Sequence, residues 1–425
     1  MIQKYEKMLI CTMFVLSLIV SRPLVSSAKE ITNPYTGSKY VYSTDYKNGI
    51  LLYGKDGRKK KKYQLIKNKD KEYSMGTIYK TKSFVYYCDT NQGYSPNGNV
   101  WQVPVDKKTG KLKTKSKKRL FHVDAWQEFL YATDKKVVYR LDQSIVSYNK
   151  KTKKKSNLTK HSGGDGQIQV AKDASGQAAK IGNYIYYTRD INTEAALYQL
   201  NIATGKTKKI LEGARADWSK RYRHDYGNSD PVVGVSGKKL YVTTKEGIVC
   251  YDTANKKKTT LIAMESLEQG IKSNNSTDAF ESLDVVNYYF LGKTMYLEIS
   301  LNSAEREGSY GQLVYDKNYI VVSMDKTTGS AFTYENEISA FLKNNGSGYQ
   351  DSDYDGLKCW DVHTGILLGM TQKGTWIGEF VDAQGKYFYL TYNAKTKTKK
   401  TYSAKKAKVR LLQKGINDQY LPIIC

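Results

Sequence analysis

The sequence predicts an all-β protein assembled from one repeated unit of four strands. Three observations predict this: a Tyr- and Val-rich strand that recurs along the chain, a Lys-rich hairpin after most copies, and almost no helical periodicity. Successive copies of the strand start roughly 44–56 residues apart, with one gap of about 92 before the last. A period of this length is what one four-stranded blade of a β-propeller requires.

The recurring strand alternates β-branched and aromatic residues, a pattern that suits a pleated, half-buried strand. Its copies are YVYSTD (40–45), FVYYCD (84–89), VVYRLD (137–142), YIYYTRD (184–190), LYVTT (240–244), MYLEIS (295–300) and YFYLTYN (387–393). The chain contains 37 Tyr. We expect their rings to pack between strands while the hydroxyl groups reach water.

Each copy is followed by an apolar strand, an Asp or Asn, and a polar Lys-rich turn. The copies are LLYGKDGRKKKK (51–62), VWQVPVDKKTGKLK (100–113), IVSYNKKTKKKS (145–156), LYQLNIATGKTKKI (197–210), VCYDTANKKKTTL (249–261), VVSMDKTTGSAF (321–332) and LKCWDVHTGILL (357–368). Asp and Asn open such turns through side-chain bonds to the backbone, and Gly supplies the positive φ. The pattern predicts a hairpin that joins the third and fourth strands of each unit.

Seven copies of each signature predict a propeller of seven blades. Six long or eight short blades also fit the length, and the pattern is irregular around residues 300–380. We expect one domain over residues 29–425, since no Pro-rich or Gly/Ser-rich linker divides the chain. The stretch Glu335–Asn344 is the single short helix expected.

The N-terminus has the features of a secretory signal peptide. Lys4 and Lys7 precede an apolar run over Met8–Val20, and small residues at 26–28 predict cleavage after Ala28. An uncleaved N-terminal anchor is the alternative. We expect residues 1–28 to be removed and the remaining chain to be secreted, extracellular and associated with the cell envelope.

Four of the tyrosine strands resemble degenerate YWTD repeats. These are Tyr42–Asp45, Tyr86–Asp89, Tyr139–Asp142 and Tyr187–Asp190, and Trp is missing from every copy. Together with YIYY, LYQLN and TGKTKKIL they resemble an exported bacterial β-propeller domain of unknown function, related to the low-density-lipoprotein-receptor-type propeller. The resemblance implies six blades and a protein- or ligand-binding role, and it supplies no catalytic residues.

Charge is the strongest compositional signal. The formal net charge is +27, and it becomes +25 when Lys4, Lys7, Arg22 and Glu6 are removed with the signal peptide. The lysines concentrate in the predicted hairpins and in the turns between first and second strands, which emerge on one face of a propeller. The predicted binding residues of this basic face are Lys59, Lys60, Lys61, Lys62, Lys153, Lys154, Lys155, Lys206, Lys208, Lys209, Lys256, Lys257, Lys258, Lys397, Lys399 and Lys400. A solvated surface without a ligand is the alternative interpretation.

Carboxylates are expected at the other face. They follow the tyrosine strands or occupy the turns beyond them: Asp45, Asp89, Asp142, Asp190, Glu194, Glu246, Glu305, Glu307 and the 351–355 segment. The sequence therefore predicts that charge is sorted by face.

Motifs for catalysis are absent from the sequence. The four His form no HExxH, Gly234–Gly237 misses G-x-S-x-G by one residue, and Gly205-Lys206-Thr207 lacks the first Gly of a phosphate-binding loop. We predict no catalytic residues, with an exported hydrolase or lyase acting on polysaccharide or peptide at the propeller channel as the alternative. Exposed aromatic residues in loops are candidates for stacking on sugars: Tyr94, Trp126, Trp218 and Trp376.

One segment resembles a calcium-binding loop. Asp351, Asp353 and Asp355 alternate before Gly356, which would place three hard oxygen ligands on one side of a turn. The positions that normally complete the coordination are Cys359 and Val362. A plain hairpin turn is the alternative, and no other cofactor is expected.

Four cysteines remain after cleavage, and they form no C-x-x-C pair. We expect buried free thiols at Cys88, Cys250, Cys359 and Cys425. One disulfide, such as Cys359–Cys425, is the alternative interpretation.

The sequence thus predicts a monomeric, non-enzymatic binding or scaffold propeller. Its cationic face would bind anionic envelope polymers or surfaces, and the opposite face would bind a protein or glycan partner. Nucleic acid fits the charge but conflicts with export.

Overall fold

The computed structural model describes residues 40–45, 49–54, 59–66, 73–91, 98–123, 127–141, 143–160, 168–172, 178–191, 194–214, 232–274, 280–302, 306–307, 313–314, 317–339, 348–349, 365–370, 374–381, 387–393 and 396–403. All of them belong to one compact unit, residues 33–425. These residues form antiparallel β-sheets with few helices, as the alternating sequence pattern predicts.

Within the described residues, seven antiparallel meanders follow one another in sequence order, and we number them sheets 1 to 7. Sheet 1 comprises β1 Tyr40–Asp45, β2 Gly49–Gly54 and β3 Lys59–Gln64. Sheet 2 comprises β4 Tyr73–Lys80, β5 Phe84–Asn91, β6 Gly98–Pro104 and β7 Lys118–Val123. Sheet 3 comprises β8 Gln127–Ala132, β9 Lys136–Leu141, β10 Ser144–Asn149 and β11 Lys155–Asn157.

Strand pairing between sheets 4 and 5 is limited to one residue pair, Ala214 with Thr244. Sheet 4 comprises β12 Ile168–Val170, β13 Lys180–Ile181, β14 Tyr184–Ile191, β15 Glu194–Asn201 and β16 Thr207–Ala214. Sheet 5 comprises β17 Val233–Ser236, β18 Lys239–Thr244, β19 Gly247–Asp252 and β20 Lys258–Ala263. In sheet 4 the first strand is interrupted, because β12 and β13 both pair with β14.

Sheets 6 and 7 complete the series. Sheet 6 comprises β21 Ser282–Leu291, β22 Thr294–Asn302, β25 Lys317–Asp325, β26 Thr333–Tyr334 and β27 Gly348–Tyr349, with the small hairpin β23 Arg306–Glu307 and β24 Leu313–Val314 between β22 and β25. Sheet 7 comprises β28 Gly365–Met370, β29 Thr375–Val381, β30 Tyr387–Asn393 and β31 Thr398–Ser403. Both β26 and β27 pair with β25, so the fourth strand of sheet 6 is divided.

Consecutive sheets pack face to face, which makes the arrangement propeller-like. In β5, Tyr87 joins the hydrophobic core shared with sheet 1, whereas Tyr86 joins the core shared with sheet 3. In β14, Tyr187 contacts the core with sheet 3 and Tyr186 the core with sheet 5. Because successive side chains of a strand point to opposite faces, each tyrosine strand supplies both of the cores that flank its sheet.

After Trp376, tyrosine rings are the largest fully buried side chains among the described residues, and their packing between strands was predicted. Burying one large apolar side chain contributes about 1.5–3 kcal/mol. The prediction that the hydroxyl groups reach water is wrong for Tyr42 and Tyr86. The Tyr42 hydroxyl donates to the Gly110 carbonyl of sheet 2, and the Lys150 Nζ of sheet 3 donates to the Tyr86 hydroxyl. These hydroxyl groups instead connect neighbouring sheets.

Two sequence assignments in sheet 7 are wrong. The segment YFYLTYN forms β30, the third strand, although it was expected to be a second strand like the other tyrosine copies. The segment LKCWDVHTGILL was expected to form a third strand and a hairpin, but Gly365–Met370 at its end forms β28, the first strand. The sequence signature cannot distinguish these strands, because every strand of a two-sided packed sheet carries similar apolar residues.

One helix was missed. The helix α1 Met264–Asn274 follows β20 and buries Met264, Leu267 and Ile271 on one face. Within the expected stretch Glu335–Asn344, residues 336–339 are helical. A 3₁₀ turn covers Thr114–Ser116. In the described part of the chain, no helix is long and apolar enough to cross a membrane.

Cys88 and Cys250 are buried free thiols, as predicted. Cys359 and Cys425 lie outside the described residues.

Candidate functional site

In sheets 2 to 6 the two kinds of turn lie side by side at the same end of the sheet, which we call the hairpin end. The contact is a backbone hydrogen bond from the third-to-fourth-strand hairpin to the first-to-second-strand turn. Its instances are Val105 N to Ser83 O, Lys150 N to Lys135 O, Ile202 N to Asn183 O, Thr253 N to Lys238 O and Lys326 N to Lys293 O, each at 2.9 Å. Lysines from both kinds of turn are therefore brought to one end of the sheet.

The hairpins share one geometry. In sheet 4, Asn201 Oδ1 accepts hydrogen bonds from the backbone N–H groups of Ala203 and Thr204 at 2.9 and 3.1 Å. The Gly205 N–H then donates to the Asn201 carbonyl at 2.7 Å, with Gly205 at φ +74°. The same bonds form at Asp106 and Asp325, and they hold the pKa of both carboxyl groups below the ordinary range. The Asp or Asn of the sequence signature thus fixes the shape of the hairpin.

A consequence of this shared geometry is a set of four equivalent lysines. In each hairpin the first residue donates its N–H to the carbonyl of the residue five positions later. That residue is Lys111 in sheet 2, Lys154 in sheet 3, Lys206 in sheet 4 and Lys257 in sheet 5. All four side chains are exposed. Sequence analysis included three of them and missed Lys111, although the segment TGKLK carries the same signal as TGKTKK.

The predicted binding lysines divide between hairpin turns and outer strands. Those in the turns are Lys153, Lys154, Lys206, Lys256, Lys257 and Lys397, all exposed. The rest lie on the fourth strands that follow the turns: Lys59, Lys60, Lys61 and Lys62 in β3, Lys155 in β11, Lys208 and Lys209 in β16, Lys258 in β20, and Lys399 and Lys400 in β31. The side chains of these strand lysines are exposed as well, except that of Lys59, which is outside the described set.

Several of the predicted binding lysines have intramolecular partners, among them Lys155, Lys209, Lys258 and Lys397. Lys209 pairs with Glu212 at 2.5 Å and Lys258 with Glu246 at 2.9 Å. Lys155 Nζ donates to the His122 carbonyl at 2.7 Å, and Lys397 pairs with Glu337 at 2.7 Å. These ammonium groups, including that of Lys397 in a hairpin turn, are less available to a ligand.

Other lysines connect neighbouring sheets. Lys150 Nζ donates to the Tyr86 hydroxyl at 2.5 Å and to the Thr133 carbonyl at 2.6 Å, and it lies 4.8 Å from the Tyr86 ring centroid. Burial lowers the pKa of Lys150 to about 8, although Asp134 opposes the shift. Lys326 Nζ likewise donates to Ser236 Oγ of sheet 5 at 3.1 Å. Part of the lysine content therefore stabilises packing between sheets.

A groove of about 520 Å³ lies along the outer strands of sheets 4 and 5. It is lined by Lys209–Gly213 of β16 and by Lys245, Glu246 and Lys258 of sheet 5. The pKa of Glu212 is lowered by Lys209, and that of Glu246 by Lys258. Charges of both signs meet in this groove, so it has no strong preference for an anion.

The predicted acidic face is only partly described. Asp89 is half-buried and accepts hydrogen bonds from the Asn99 N–H at 2.5 Å and from the Trp101 indole N–H at 2.6 Å. Burial raises the pKa of Asp89, and these bonds and Lys117 partly offset the effect. Glu246 is exposed but is paired with Lys258. Both carboxyl groups thus have structural partners. The side chains of Asp45, Asp142, Asp190, Glu194, Glu305 and Glu307 lie outside the described residues.

One buried charged cluster was not found from the sequence. Glu128 on β8 is buried and contacts Arg140 at 3.4 Å and Lys172 of sheet 4 at 3.2 Å. Arg140 also donates to the Ile168 carbonyl at 3.0 Å. The cluster bridges the first strands of sheets 3 and 4, and its carboxylate is neutralised by cations on both sides.

Most of the remaining predicted site residues lie outside the described residues. Asp351, Asp353 and Asp355 lie outside the described residues, and within the described set no group of three or more His, Cys, Asp or Glu could hold a metal ion. Tyr94, Trp126 and Trp218 also lie outside it. Trp376 is fully buried, so its assignment as an exposed sugar-stacking residue is wrong. The sequence could not show this because the segment around Trp376 reads equally well as a loop or a strand.

No known protein family matches the sequence, and no curated protein matches it. Solved structures similar to this chain include one from a structural and mechanistic study of two prolyl endopeptidases, with a TM-score of 0.48 and 11% identity over 88% of this chain. The chain spans 51% of the length of that endopeptidase. An oligogalacturonate lyase from Vibrio parahaemolyticus has a TM-score of 0.39 and 8% identity, covering 87% of this chain and 80% of its own. A nidogen/laminin complex has a TM-score of 0.28 and 10% identity, covering 52% of this chain and 91% of its own.

Proposed function

We propose that this chain is an exported, non-enzymatic binding protein whose seven sheets close into a propeller ring and whose hairpin end binds anionic polymers of the cell envelope. Its opposite end remains available to a protein or glycan partner. The signal peptide predicted over residues 1–28, with its apolar run Met8–Val20, supports export, and outside the cell wall polymers, acidic glycans and anionic lipid heads are the abundant polyanions.

The observation that carries this proposal is the set of equivalent lysines Lys111, Lys154, Lys206 and Lys257. They occupy one position of one hairpin geometry in four consecutive sheets, and all are exposed. A repeated positive charge suits a ligand with repeated negative charge. Lys acts as a point charge, so the surface favours diffuse contacts with phosphate or sulfate groups over bidentate recognition by Arg.

Ring closure is supported by the composition of sheet 1. The sequence signature at 51–62 assigns β2 and β3 as the third and fourth strands of a four-stranded unit. Since β1 pairs with β2, it is the second strand of that unit. The first strand of sheet 1 would then come from residues outside the described set, either before Tyr40 or after Ser403. An unpaired β1 edge would be open to association with another chain, and a closed ring removes this edge.

The alternative is an exported hydrolase or lyase acting at the centre of the ring. Such an enzyme needs a carboxyl group free to exchange protons with a substrate. Glu128 is paired with two cations, and Glu298 is enclosed between sheets, so neither favours this alternative. Incubation of the secreted chain with polysaccharide and peptide substrates tests it, with released fragments as the readout.

The test of the binding proposal compares two matched double variants. Lys154→Gln with Lys257→Gln removes two charges from the hairpin ends of sheets 3 and 5. Lys160→Gln with Lys245→Gln removes two exposed charges near the opposite ends of the same sheets. The ligands are teichoic acid and heparin, at low and high salt. A lysine near an anionic surface contributes about 1 kcal/mol, so the first pair should weaken binding at low salt by roughly tenfold or more.

The second pair should leave the affinity nearly unchanged, and high salt should abolish binding of the unmodified protein. Equal losses from both pairs would contradict a binding face at the hairpin end. Binding that persists at high salt would contradict an electrostatic ligand.

A further inference from the structure

The junction between sheets 6 and 7 encloses the carboxyl group of Glu298. Glu298 lies on β22 and is 5% exposed. Its Oε2 accepts hydrogen bonds from Asn287 Nδ2 at 2.8 Å and from the Tyr289 hydroxyl at 2.7 Å. No cation of the described residues forms an ion pair with it. A buried carboxylate without a cation is costly, because desolvation penalises the charged form.

The side chains around Glu298 form the contact between the two sheets. Tyr289 and Tyr296 of sheet 6 place their rings edge-on to Trp376 of sheet 7, at centroid distances of 5.1 and 5.3 Å. Trp376 is fully buried together with Val321 of β25. The tyrosine that donates to Glu298 is therefore the same one that contacts the central tryptophan of the junction.

The other charged and titratable groups on this side of sheet 6 have their own partners or lie further along the strands. Glu335 accepts a hydrogen bond from Ser323 at 2.6 Å, and the exposed Glu337 pairs with Lys397 at 2.7 Å and accepts a bond from the Tyr392 hydroxyl. Asp284 of β21 and Tyr319 of β25 are both paired with Ser300, which lies two residues beyond Glu298 on β22. On the opposite face, β22 packs against sheet 5 through apolar residues.

Burial raises the pKa of Glu298 to about 7, and the bonds from Asn287 and Tyr289 reduce the shift. Because this pKa lies above the ordinary Glu value, the packed junction binds a proton that the opened junction releases. The stabilisation is complete below the ordinary Glu pKa and is lost as the pH rises through about 7.

We propose that Glu298 makes the junction of sheets 6 and 7 a proton-dependent latch, which packs most tightly with the carboxyl protonated and loosens as it ionises. Glu128 and Glu298 are the fully buried carboxyl groups among the described residues, and Glu128, between sheets 3 and 4, has Arg140 and Lys172 as partners. The pH response is therefore local to one part of the fold. This inference does not depend on the ligand of the hairpin end.

The test is hydrogen exchange of the secreted chain at about pH 5 and about pH 7, corrected for intrinsic exchange. Each pH unit between the two pKa values changes the opening equilibrium by up to about tenfold. We expect exchange of residues 294–302 and 375–381 to accelerate by at least about tenfold, with residues 136–141 of sheet 3 unchanged. Fluorescence of Trp376 provides a second readout, through a Trp376→Phe difference spectrum.

Glu298→Gln retains a donor and an acceptor without a titratable proton, so it should remove the acceleration while the fold persists. Glu337→Gln changes an exposed carboxyl at the same junction and should leave the acceleration intact. The same pH response in Glu298→Gln and in the unmodified protein would overturn the proposal. If Glu298→Gln does not fold, the unmodified protein alone decides. An equal change of exchange with pH in sheets 3 and 6 would then overturn the proposal.

Discussion

Three lysines adopt a left-handed backbone conformation that glycine occupies in the equivalent hairpins. Lys153, Lys256 and Lys397 have φ values of 57°, 62° and 52°. At the same position the hairpins of sheets 2, 4 and 6 have Gly110, Gly205 and Gly329, at 68°, 74° and 72°. For an L-residue with a Cβ atom this conformation costs about 1–2 kcal/mol, so each of these lysines lowers the free energy of unfolding.

We predict that Lys153→Gly or Lys256→Gly raises the free energy of unfolding by about 0.5–1 kcal/mol, the relief of strain minus the larger unfolded-state entropy of glycine. The measurement is urea unfolding of the secreted chain. Lys154→Gly is the control: Lys154 does not have a positive φ, and the same change there should lower stability. A loss of stability in Lys153→Gly similar to that in Lys154→Gly would show that the left-handed strain is negligible.

At the scale of secondary-structure elements, the hairpins were predictable and the identity of individual strands was not. The Asp or Asn that opens a hairpin acts through its own backbone, so the sequence signature and the structure coincide at Asp106, Asn149 and Asn201. The tyrosine signature depends on burial alone, and burial is shared by several strands of a sheet. This is why YFYLTYN was assigned to the wrong strand of sheet 7.

The helix α1 illustrates a different limit. Met264, Leu267 and Ile271 have helical spacing, but the stretch is short and contains Gly270. The structure gives this glycine a packing role, since a Cβ atom at Gly270 would lie 2.6 Å from the Phe332 ring. The partner ring is 62 positions away in the sequence, so local propensity cannot report it.

The lysine set shows the same limit for the candidate site. Sequence alone located the hairpin lysines because each follows a turn signature. It could not tell that Lys155, Lys258 and Lys397 have intramolecular partners, because those partners are at least 12 positions away in the sequence.

The calcium hypothesis for Asp351, Asp353 and Asp355 stays a prediction. If the segment binds Ca²⁺, about 10 mM Ca²⁺ should raise the melting temperature, since a ligand at 100 times its Kd stabilises by about 2.7 kcal/mol. Asp353→Ala should abolish the rise, and Mg²⁺ should produce a smaller one. An unchanged melting temperature in Ca²⁺ would leave the plain hairpin interpretation.

At the scale of the whole molecule, sheets 2 to 6 each share a core with both neighbours, so the proposed closed ring would also cover the second faces of sheets 1 and 7. We predict that truncation after Ser403, which retains every described strand, causes concentration-dependent association if the residues after it pair with β1. Light scattering measures this. Truncation of residues 29–38 should have no such effect. The reverse result would place the closing strand before β1, and two monomeric, folded truncations would contradict closure.

The most direct test of the binding account is chemical labelling of lysines in the presence of polymer. Teichoic acid or heparin is bound to the chain of residues 29–425 at low salt, exposed amines are acetylated briefly, and modification is quantified by mass spectrometry. We predict strong protection of Lys111, Lys154, Lys206 and Lys257, with Lys160 and Lys245 labelled as in the free protein. Uniform protection of both groups, or protection of Lys160 and Lys245 alone, would contradict a polymer-binding face at the hairpin end.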